Sequence, residues 1–159
     1  NCTVGDGVTL NSVQAYDSEI EDSAKIGPFV QIRPGSRICK GVKIGDFVEI
    51  KNSVIGENTA VAHLTYVGDS DVGSGVNFGC GVVTEKKFRT TIGDDAFIGC
   101  NTNLVAPVKI GKGAYTGAGS TITKDVPDGS LAVERGTAKI IEGFGLRKLK
   151  GRIEKNHSK

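Results

Sequence analysis

The sequence has few of the residues that metal and redox sites require. It contains two histidines, and its four cysteines lie far apart without a CxxC pair. A three-histidine metal site would need one more imidazole, and a zinc knuckle or a dense disulfide framework would need closely spaced cysteines. We therefore expect no metal in this domain. We expect the cysteines to be reduced thiols: Cys2, Cys39, Cys80 and Cys100.

Long apolar runs, methionine and a strong charge imbalance are also absent. No apolar stretch approaches the roughly 20 residues needed to span a bilayer, and the first residues do not resemble a signal peptide. We therefore expect a soluble, cytoplasmic protein without a membrane partner. The net charge of +2 gives no electrostatic reason to expect nucleic acid as a partner. Because the chain begins with Asn1 and lacks methionine, we expect it to be part of a longer protein.

The sequence is rich in glycine, with 23 residues, and in aliphatic residues that recur every six positions. A period of six is neither the 3.6 of a helix nor the alternation of a strand, so it indicates a repeated strand and turn. Three such units would make one coil, with the aliphatic side chains pointing inward. The sequence predicts an all-β fold, a left-handed parallel β-helix of hexapeptide repeats with roughly seven coils and a short C-terminal extension. The recurring residues include Ile26, Ile32, Ile38, Ile44, Ile50, Ile92, Ile98, Leu104, Ile110 and Ile122.

The repeat ends at a turn signal, Val126-Pro127-Asp128-Gly129. We expect a β-helix domain over 1–135 and a basic tail over 136–159, either solvated or facing a partner. Within the domain, residues 10–25 keep the pattern poorly, and Ile55 follows Ile50 by five positions instead of six. We expect the prism to slip there. Irregular coils commonly carry functional loops, and this irregular window holds His63, Tyr66, Asn77, Lys86, Lys87 and Arg89.

Two interpretations of His63 are open from the sequence alone. A lone histidine is often a packed, hydrogen-bonded residue. An imidazole also titrates near neutrality and can take a proton from an amine that attacks an acyl carbon. The position of His63 in an irregular coil, beside Thr65 and Tyr66, favours the second interpretation. No carboxylate is placed beside His63 by its spacing in the sequence.

Arg33 and Lys51 are separated by about one full coil in the sequence. We therefore expect them to stack on one face of the prism. Two neighbouring cations repel each other, and an anion such as phosphate between them would relieve that repulsion. The alternative is two unrelated surface charges.

Several runs resemble one bacterial family over nearly the whole chain: IGPFVQIRPGSR, GDFVEIKNSVIG, HLTYVGDSDVGSGVNFGCG, KKFRTTIGDDAFIGCNTNLVAPVKIGKGA and GAGSTITKDVP. They are similar to the acetyltransferase domain of the bifunctional uridylyltransferase and glucosamine-1-phosphate N-acetyltransferase. The HLTYVGD and NLVAPV runs carry the specificity, because hexapeptide repeats occur in many acyltransferases. The resemblance implies acetyl transfer from acetyl-CoA to glucosamine 1-phosphate, for UDP-N-acetylglucosamine and cell-wall precursor synthesis. The family's nucleotidyltransferase domain is absent from this sequence.

The resemblance also implies roles for individual residues. His63 would be the catalytic base that deprotonates the sugar amine. Cys80 matches a small residue whose backbone N–H would stabilise the developing oxyanion of the thioester. The positions matched to substrate binding are Arg33, Lys51, Tyr66, Asn77 and Lys87. The positions matched to the coenzyme A side are Cys80, Cys100, Ala118 and Arg135, whose guanidinium would meet the coenzyme A phosphates.

The resemblance implies a homotrimer with active sites between subunits, each C-terminal tail reaching the coenzyme A site of a neighbour. One departure concerns a loop. The family usually carries Asn-Tyr-Asp-Gly before the segment that matches Lys87-Phe88-Arg89-Thr90, and this sequence lacks it. Thr84 and Ile92 are eight residues apart, and about five more would make close to two whole repeats. This register favours a loop omitted from the sequence over a true deletion.

Two other functions remain open. A hexapeptide acyltransferase could act on an amino acid, an antibiotic or an acyl carrier protein, although Arg33, Lys51 and the HLTY run favour a phosphorylated amino sugar. A non-catalytic β-helix could trimerise or regulate a nucleotidyltransferase. Such a module would need the aliphatic repeat but not His63 or Asn77.

Overall fold

A computed structural model shows an all-β, left-handed parallel β-helix of about eight turns, in agreement with the predicted fold class. It describes residues 1–85 and 88–149, without the side chain of Glu85. The number of turns exceeds the predicted seven, because strands begin as early as Cys2 and the N-terminal residues form a complete coil.

Three parallel sheets form the sides of the prism, and each coil contributes one strand to each sheet. Sheet A contains β1 (Cys2–Val4), β4 (Ser18–Ile20), β7 (Arg37–Ile38), β10 (Val54–Ile55), β13 (Ser70–Val72), β16 (Thr90–Ile92) and β19 (Val108–Ile110). Sheet B contains β2 (Thr9–Leu10), β5 (Lys25–Ile26), β8 (Lys43–Ile44), β11 (Ala60–Val61), β14 (Asn77–Phe78), β17 (Phe97–Ile98), β20 (Tyr115–Thr116) and β22 (Leu131–Ala132). Sheet C contains β3 (Val13–Ala15), β6 (Val30–Ile32), β9 (Glu49–Lys51), β12 (Tyr66–Gly68), β15 (Val83–Glu85), β18 (Asn103–Val105) and β21 (Thr121–Ile122).

The core is a ladder of aliphatic side chains that stack from coil to coil. Ile38 pairs with Ile20 on one side and Ile55 on the other, and all three are at most 1% exposed. A single apolar column buries little surface in one coil, so stability comes from stacking successive coils. This confirms that the six-residue period places the aliphatic residues inward.

Two expected irregularities do not disturb the ladder. Residues 10–25 form regular strands, with β3 paired to β6 and β5 to β8. The six-residue aliphatic pattern is weak in this segment because the first coil exposes positions that later coils bury. The prism also does not slip at Ile55, which pairs with Ile38 in the preceding coil and with Val72 in the following one. The residue missing from this repeat is absorbed at a corner, which leaves strand pairing intact.

The coil that contains the expected loop also keeps its pairing. β15 pairs with β12 and β18, and β16 pairs with β13 and β19. A connection at a corner can vary in length while both flanking strands stay paired, so the omitted loop stays a prediction. Lys86 and Lys87 lie outside the described residues.

The last strand, β22, pairs with β20 at the end of sheet B. Residues 144–149 form a short helix, with exposed Phe144, Leu146 and Leu149. No helix within the described ranges is long and apolar enough to cross a membrane.

Candidate active site

The corner between sheets B and C carries one column of chemically varied residues. Strand register fixes this column. Five residues in sheet B stack on one another in successive coils, and each column residue lies two positions after one of them: Ile44, Val61, Phe78, Ile98 and Thr116. We call it the corner column, and it consists of Asp46, His63, Cys80, Cys100 and Ala118. The family resemblance implies catalytic or coenzyme A-binding roles for four of these five residues. The structure places them one above another along the prism axis.

The backbone is left-handed at the position that follows each column residue. Phe47, Leu64 and Asn101 have φ values of 56°, 54° and 54°, and glycine occupies the same place at positions 81 and 119. This conformation is uncommon for residues with a Cβ and occurs in tight turns. The turn makes the preceding side chain project from the corner instead of along a sheet.

His63 is exposed, with 53% of its side chain accessible, which excludes a packed core histidine. Its carbonyl accepts hydrogen bonds from the Thr65 hydroxyl at 3.1 Å and the Gly81 amide at 3.3 Å, so its backbone is held on both sides. Its Nδ1 lies 4.0 Å from Oδ1 of Asp46. The imidazole is therefore about half exposed and has a carboxylate near Nδ1.

The sequence reasoning missed Asp46. The signal is the strand register, because Asp46 and His63 occupy the same position after the paired residues Ile44 and Val61. The coil from Asp46 to His63 contains fewer residues than the coil from Arg33 to Lys51. A search of the sequence at one fixed coil length therefore does not pair Asp46 with His63. A carboxylate near Nδ1 favours the tautomer with a proton on Nδ1, which leaves Nε2 free to accept a proton.

Arg33 and Lys51 stack in adjacent coils as expected, since Ile32 pairs with Ile50 immediately before them. Each cation has its own carboxylate. Arg33 Nη1 lies 2.9 Å from Glu49 Oε1, and Lys51 Nζ lies 3.1 Å from Asp69 Oδ2. These carboxylates offset the repulsion between the cations, so repulsion does not by itself require an anion. The two cations nevertheless form a paired donor array on one face, at the outer ends of sheet C strands.

Asp69 is held by two donors. The Asn52 amide donates to Oδ1 at 2.7 Å, and Lys51 donates to Oδ2. The hydrogen bond from Asn52, followed by the bond and charge of Lys51, lowers the pKa of Asp69. Asp69 therefore stays ionised at neutral pH and fixes the position of the Lys51 ammonium.

Tyr66 lies on the same face as Arg33 and Lys51, where it pairs with Glu49 on β9. Its ring covers Gly68, since a Cβ at residue 68 would come within 2.4 Å of the Tyr66 hydroxyl. Gly68 pairs with Lys51. Glycine at position 68 thus allows the Tyr66 hydroxyl to extend toward the Lys51 column.

Asn77 lies elsewhere. It is on β14 in sheet B, where it pairs with Ala60 and Phe97, and its side chain is exposed. Lys51 and Tyr66 belong to sheet C and Arg33 directly follows its strand β6, across the corner that carries His63. One chain does not bring Asn77 onto the face of the two cations.

Arg135 follows the last strand and is exposed. The Glu134 amide donates to the Ser120 hydroxyl at 3.0 Å, and Val133 packs where a Cβ on Gly117 would fall. Arg135 therefore leaves the prism beside the coil of Ala118. Lys87, the remaining predicted ligand, lies outside the described residues.

An apolar cavity of about 520 Å³ opens on sheet C next to this site. Phe29 and Phe47 stack with ring centroids 5.4 Å apart, and Leu64 continues the same corner. All three are more than half exposed, and Glu49 and Tyr66 also line the cavity. An exposed apolar stripe thus borders the polar site. Within the described part of the chain, no cluster of three or more His, Cys, Asp or Glu residues is arranged to hold a metal ion.

Sequence comparisons identify the repeat and its relatives. The family described as "Bacterial transferase hexapeptide (six repeats)" matches residues 17–52 and 89–124. The bifunctional protein GlmU of Clostridium perfringens is 55% identical over 153 residues, covering 93% of this chain and 34% of that protein. GlmU of Acetivibrio thermocellus is 51% identical over 160 residues, covering 98% and 35%. The chain thus spans about a third of the length of the curated relatives it matches.

Two solved structures are also similar. A perosamine N-acetyltransferase variant from Caulobacter crescentus, in complex with CoA and GDP-perosamine, is 25% identical with a TM-score of 0.50, covering 77% of this chain and 58% of that one. AntD, an N-acyltransferase from Bacillus cereus in complex with dTDP and 3-hydroxybutyryl-CoA, is 18% identical with a TM-score of 0.52, covering 99% and 92%. The second likeness concerns the fold alone.

Proposed function

The chain is a hexapeptide-repeat domain that corresponds to the C-terminal third of the bifunctional GlmU proteins, and from this premise we propose that it acetylates glucosamine 1-phosphate with acetyl-CoA. The product, N-acetylglucosamine 1-phosphate, would serve the synthesis of UDP-N-acetylglucosamine and cell-wall precursors in the cytoplasm. The observation that carries the proposal is the corner column, in which an exposed histidine continues directly into the residues matched to coenzyme A binding.

The column suits an extended thioester. From His63 to Ala118 it rises through three coils, about 14 Å at a spacing of about 4.8 Å per strand. The pantetheine arm would run along Cys100 and Ala118, with its phosphates toward Arg135. The acetyl group would then lie beside Cys80 and His63. The perosamine N-acetyltransferase of similar fold, which was solved with CoA and a nucleotide-linked sugar, supports this reaction class.

The chemistry follows from two neighbouring positions. The sugar nitrogen attacks the acetyl carbon while His63 Nε2 accepts a proton from the amine. Negative charge then develops on the carbonyl oxygen. The Cys80 N–H, which donates to no backbone carbonyl within the described ranges, is available to stabilise that charge. The sulfur of coenzyme A leaves as the carbonyl re-forms, and the proton held by His63 is available to it.

The sugar phosphate would bind at Arg33 and Lys51, with Tyr66 beside them. Glu49 and Asp69 orient the two cations through hydrogen bonds, so the donors are positioned before the phosphate arrives. Charge-assisted hydrogen bonds to phosphate are stronger than neutral ones and would select the phosphorylated sugar.

The active site would be completed by a second subunit of a homotrimer. Asn77 lies on sheet B, away from Arg33 and Lys51, so both sets reach one sugar only if sheet B of one subunit faces sheet C of another. The exposed Phe29, Phe47 and Leu64 stripe gives such a contact an apolar surface beside the site. A mixture of Lys51→Ala and Asn77→Ala chains tests this. We expect mixed trimers to regain part of the activity that each variant alone lacks, and no recovery after subunit exchange would contradict the shared site.

The reaction itself is tested by measuring thiol release from acetyl-CoA with glucosamine 1-phosphate, glucosamine and glucosamine 6-phosphate. We expect the 1-phosphate to exceed the others in kcat/KM by about tenfold or more, since a charge-assisted hydrogen bond contributes roughly 1.5–3 kcal/mol. Equal turnover with unphosphorylated glucosamine would indicate a different acyltransferase. A folded protein without turnover on any acceptor would indicate a scaffold.

A further inference from the structure

Two of the four cysteines are neighbours in space. Cys80 and Cys100 follow the paired residues Phe78 and Ile98 by two positions each, so they stack in adjacent coils of the corner column. The Asn101 amide donates to the Cys80 carbonyl at 2.7 Å, which ties the two corners together. The Cys100 Sγ also leans over Gly79, where an added Cβ would lie 2.8 Å from the sulfur.

The spacing of adjacent coils is compatible with a disulfide. Adjacent parallel strands are about 4.8 Å apart, which falls inside the range of roughly 4.4–6.8 Å between the Cα atoms of bridged cysteines. The neighbouring Cys100 thiol is the main cause of a raised pKa for the Cys80 thiol. Both side chains are accessible, Cys100 more than Cys80. A bond between the sulfurs is therefore compatible with the spacing and the exposure of the two residues.

The other two cysteines lack such a neighbour. Cys2 pairs with Ser18, and Cys39 follows the Ile38–Ile55 pair and so stacks beside Gly56. Both sulfurs are free, and neither has a cysteine in the adjacent coil. They are thus internal controls for the reactivity of isolated thiols in the same fold.

We propose that Cys80 and Cys100 form a redox-modification site, which exchanges with a low-molecular-weight disulfide to give a reversible Cys80–Cys100 disulfide. Coenzyme A disulfide is the member of this class that the site would hold, because its pantetheine arm would lie along the same column. A thiolate of the pair attacks the disulfide, forms a mixed disulfide and releases one coenzyme A thiol. The neighbouring cysteine then displaces the second coenzyme A. In balance, two protein thiols and one disulfide become one protein disulfide and two free thiols.

The effect on catalysis rests on the proposed function. A disulfide would remove the thiol hydrogen of Cys80 and draw both side chains together in the track of the pantetheine arm. It would also pull on the Cys80 backbone, whose N–H faces the thioester oxygen in the proposed mechanism. We expect acetyl transfer to fall about tenfold or more, through a higher KM for acetyl-CoA and a lower kcat, and to return when a thiol reductant is added.

The thiol chemistry can be tested without reference to activity. The full chain is incubated with coenzyme A disulfide or oxidised glutathione, remaining thiols are alkylated, and the disulfides are mapped by peptide mass spectrometry. We expect a Cys80–Cys100 crosslink that forms equally in Cys39→Ser. In Cys100→Ser we expect no internal crosslink and a persistent mixed disulfide at Cys80. If Cys2 or Cys39 is modified while Cys80 and Cys100 stay free, the proposal is wrong.

The same samples separate the two proposals. If the untreated chain has no acetyltransferase activity on any acceptor, the proposed function fails, whereas the crosslink map still decides the thiol site. If the crosslink forms and activity is unchanged, the site is a disulfide without control of catalysis, and the regulatory part of the inference is overturned.

Discussion

The inward ladder and the corner column use the same repeat in opposite ways. Along the ladder, successive coils present nearly the same side chain, as at Ile20, Ile38 and Ile55. Along the corner column, the side-chain chemistry changes from aspartate through histidine and two cysteines to alanine. The ladder is buried and makes one coil stack on the next, whereas the column is accessible and contributes little to that stacking. A solenoid can therefore vary its outer columns while the core repeats, and this separation can be tested one position at a time.

The largest effect is expected for His63→Ala. Loss of a positioned general base should lower kcat by about 100- to 10,000-fold. Because the side chain is exposed, the free energy of unfolding should change by no more than about 0.5 kcal/mol. Steady-state kinetics and denaturant titration of the same preparation measure both quantities. A variant that retains normal turnover would disprove the assignment of the base.

The converse experiment uses one strand, β8. Ile44→Ala removes a buried side chain between Ile26 and Val61, and it should lower the free energy of unfolding by about 2–5 kcal/mol. Its neighbour Lys43 points outward, and Lys43→Ala should cost less than about 0.5 kcal/mol. Urea titration monitored by circular dichroism compares the two. Equal losses would mean that outer columns also stabilise the coil stack.

Substitution of Gly68 tests the second functional face. Gly68→Ala places a Cβ against the Tyr66 ring and should displace that ring from the Lys51 column. We expect KM for the sugar phosphate to rise about tenfold. This change corresponds to an interaction energy of about 1.4 kcal/mol between residues 66 and 68, which is within the range for residues in contact. In a Tyr66→Ala background, Gly68→Ala should have little further effect, since the clash is gone. Additive effects would show that the glycine serves some other purpose.

Much of this arrangement was accessible from sequence, because a six-residue period fixes which side chains point inward. The stacking of Arg33 on Lys51 followed from their separation by three whole repeats and is confirmed. Asp46 was missed because the coil from Asp46 to His63 is shorter than three whole repeats, a length that becomes known only when strands are paired. The roles of these residues in catalysis stay predictions.

The placement of Asn77 and the ion pairs also needed the structure. After a shortened coil, a residue can no longer be assigned to a sheet by counting six-residue repeats from earlier coils. Sequence spacing therefore did not reveal that Asn77 lies on sheet B. Glu49 lies 16 residues from Arg33, and Asp69 lies 18 residues from Lys51. These spacings match one coil, but charged residues are so common in this chain that spacing alone does not identify ion pairs.

Asp46→Asn tests how far the corner column acts as a unit. The carboxylate lies 4.0 Å from His63 Nδ1, and both side chains are about half exposed, so the interaction is screened by water. We expect kcat to fall by about threefold to fivefold, in keeping with the 0.2–1 kcal/mol typical of exposed pairs. The difference from the unsubstituted chain should shrink at high ionic strength. Asp46→Glu, which keeps the charge, should lower kcat less. A lower kcat in both variants that does not depend on ionic strength would contradict an electrostatic role.

The smallest effect concerns pH and the hydrogen bonds to Asp69. Because these bonds lower the pKa of Asp69, the folded state binds a proton there less readily than the unfolded chain does. Their contribution to stability is therefore present above the ordinary aspartate range and is lost as pH falls through the lowered folded pKa. Asn52→Ala removes the strongest of these bonds and should raise the folded pKa toward its ordinary value. Carboxyl carbon NMR of Asp69 would follow the titration.

Asn58→Ala provides the matched control, since Asn58 occupies another left-handed corner, where its side chain lies against Gly41 instead of Asp69. An unchanged Asp69 titration in Asn52→Ala would mean that Lys51 alone fixes this carboxylate.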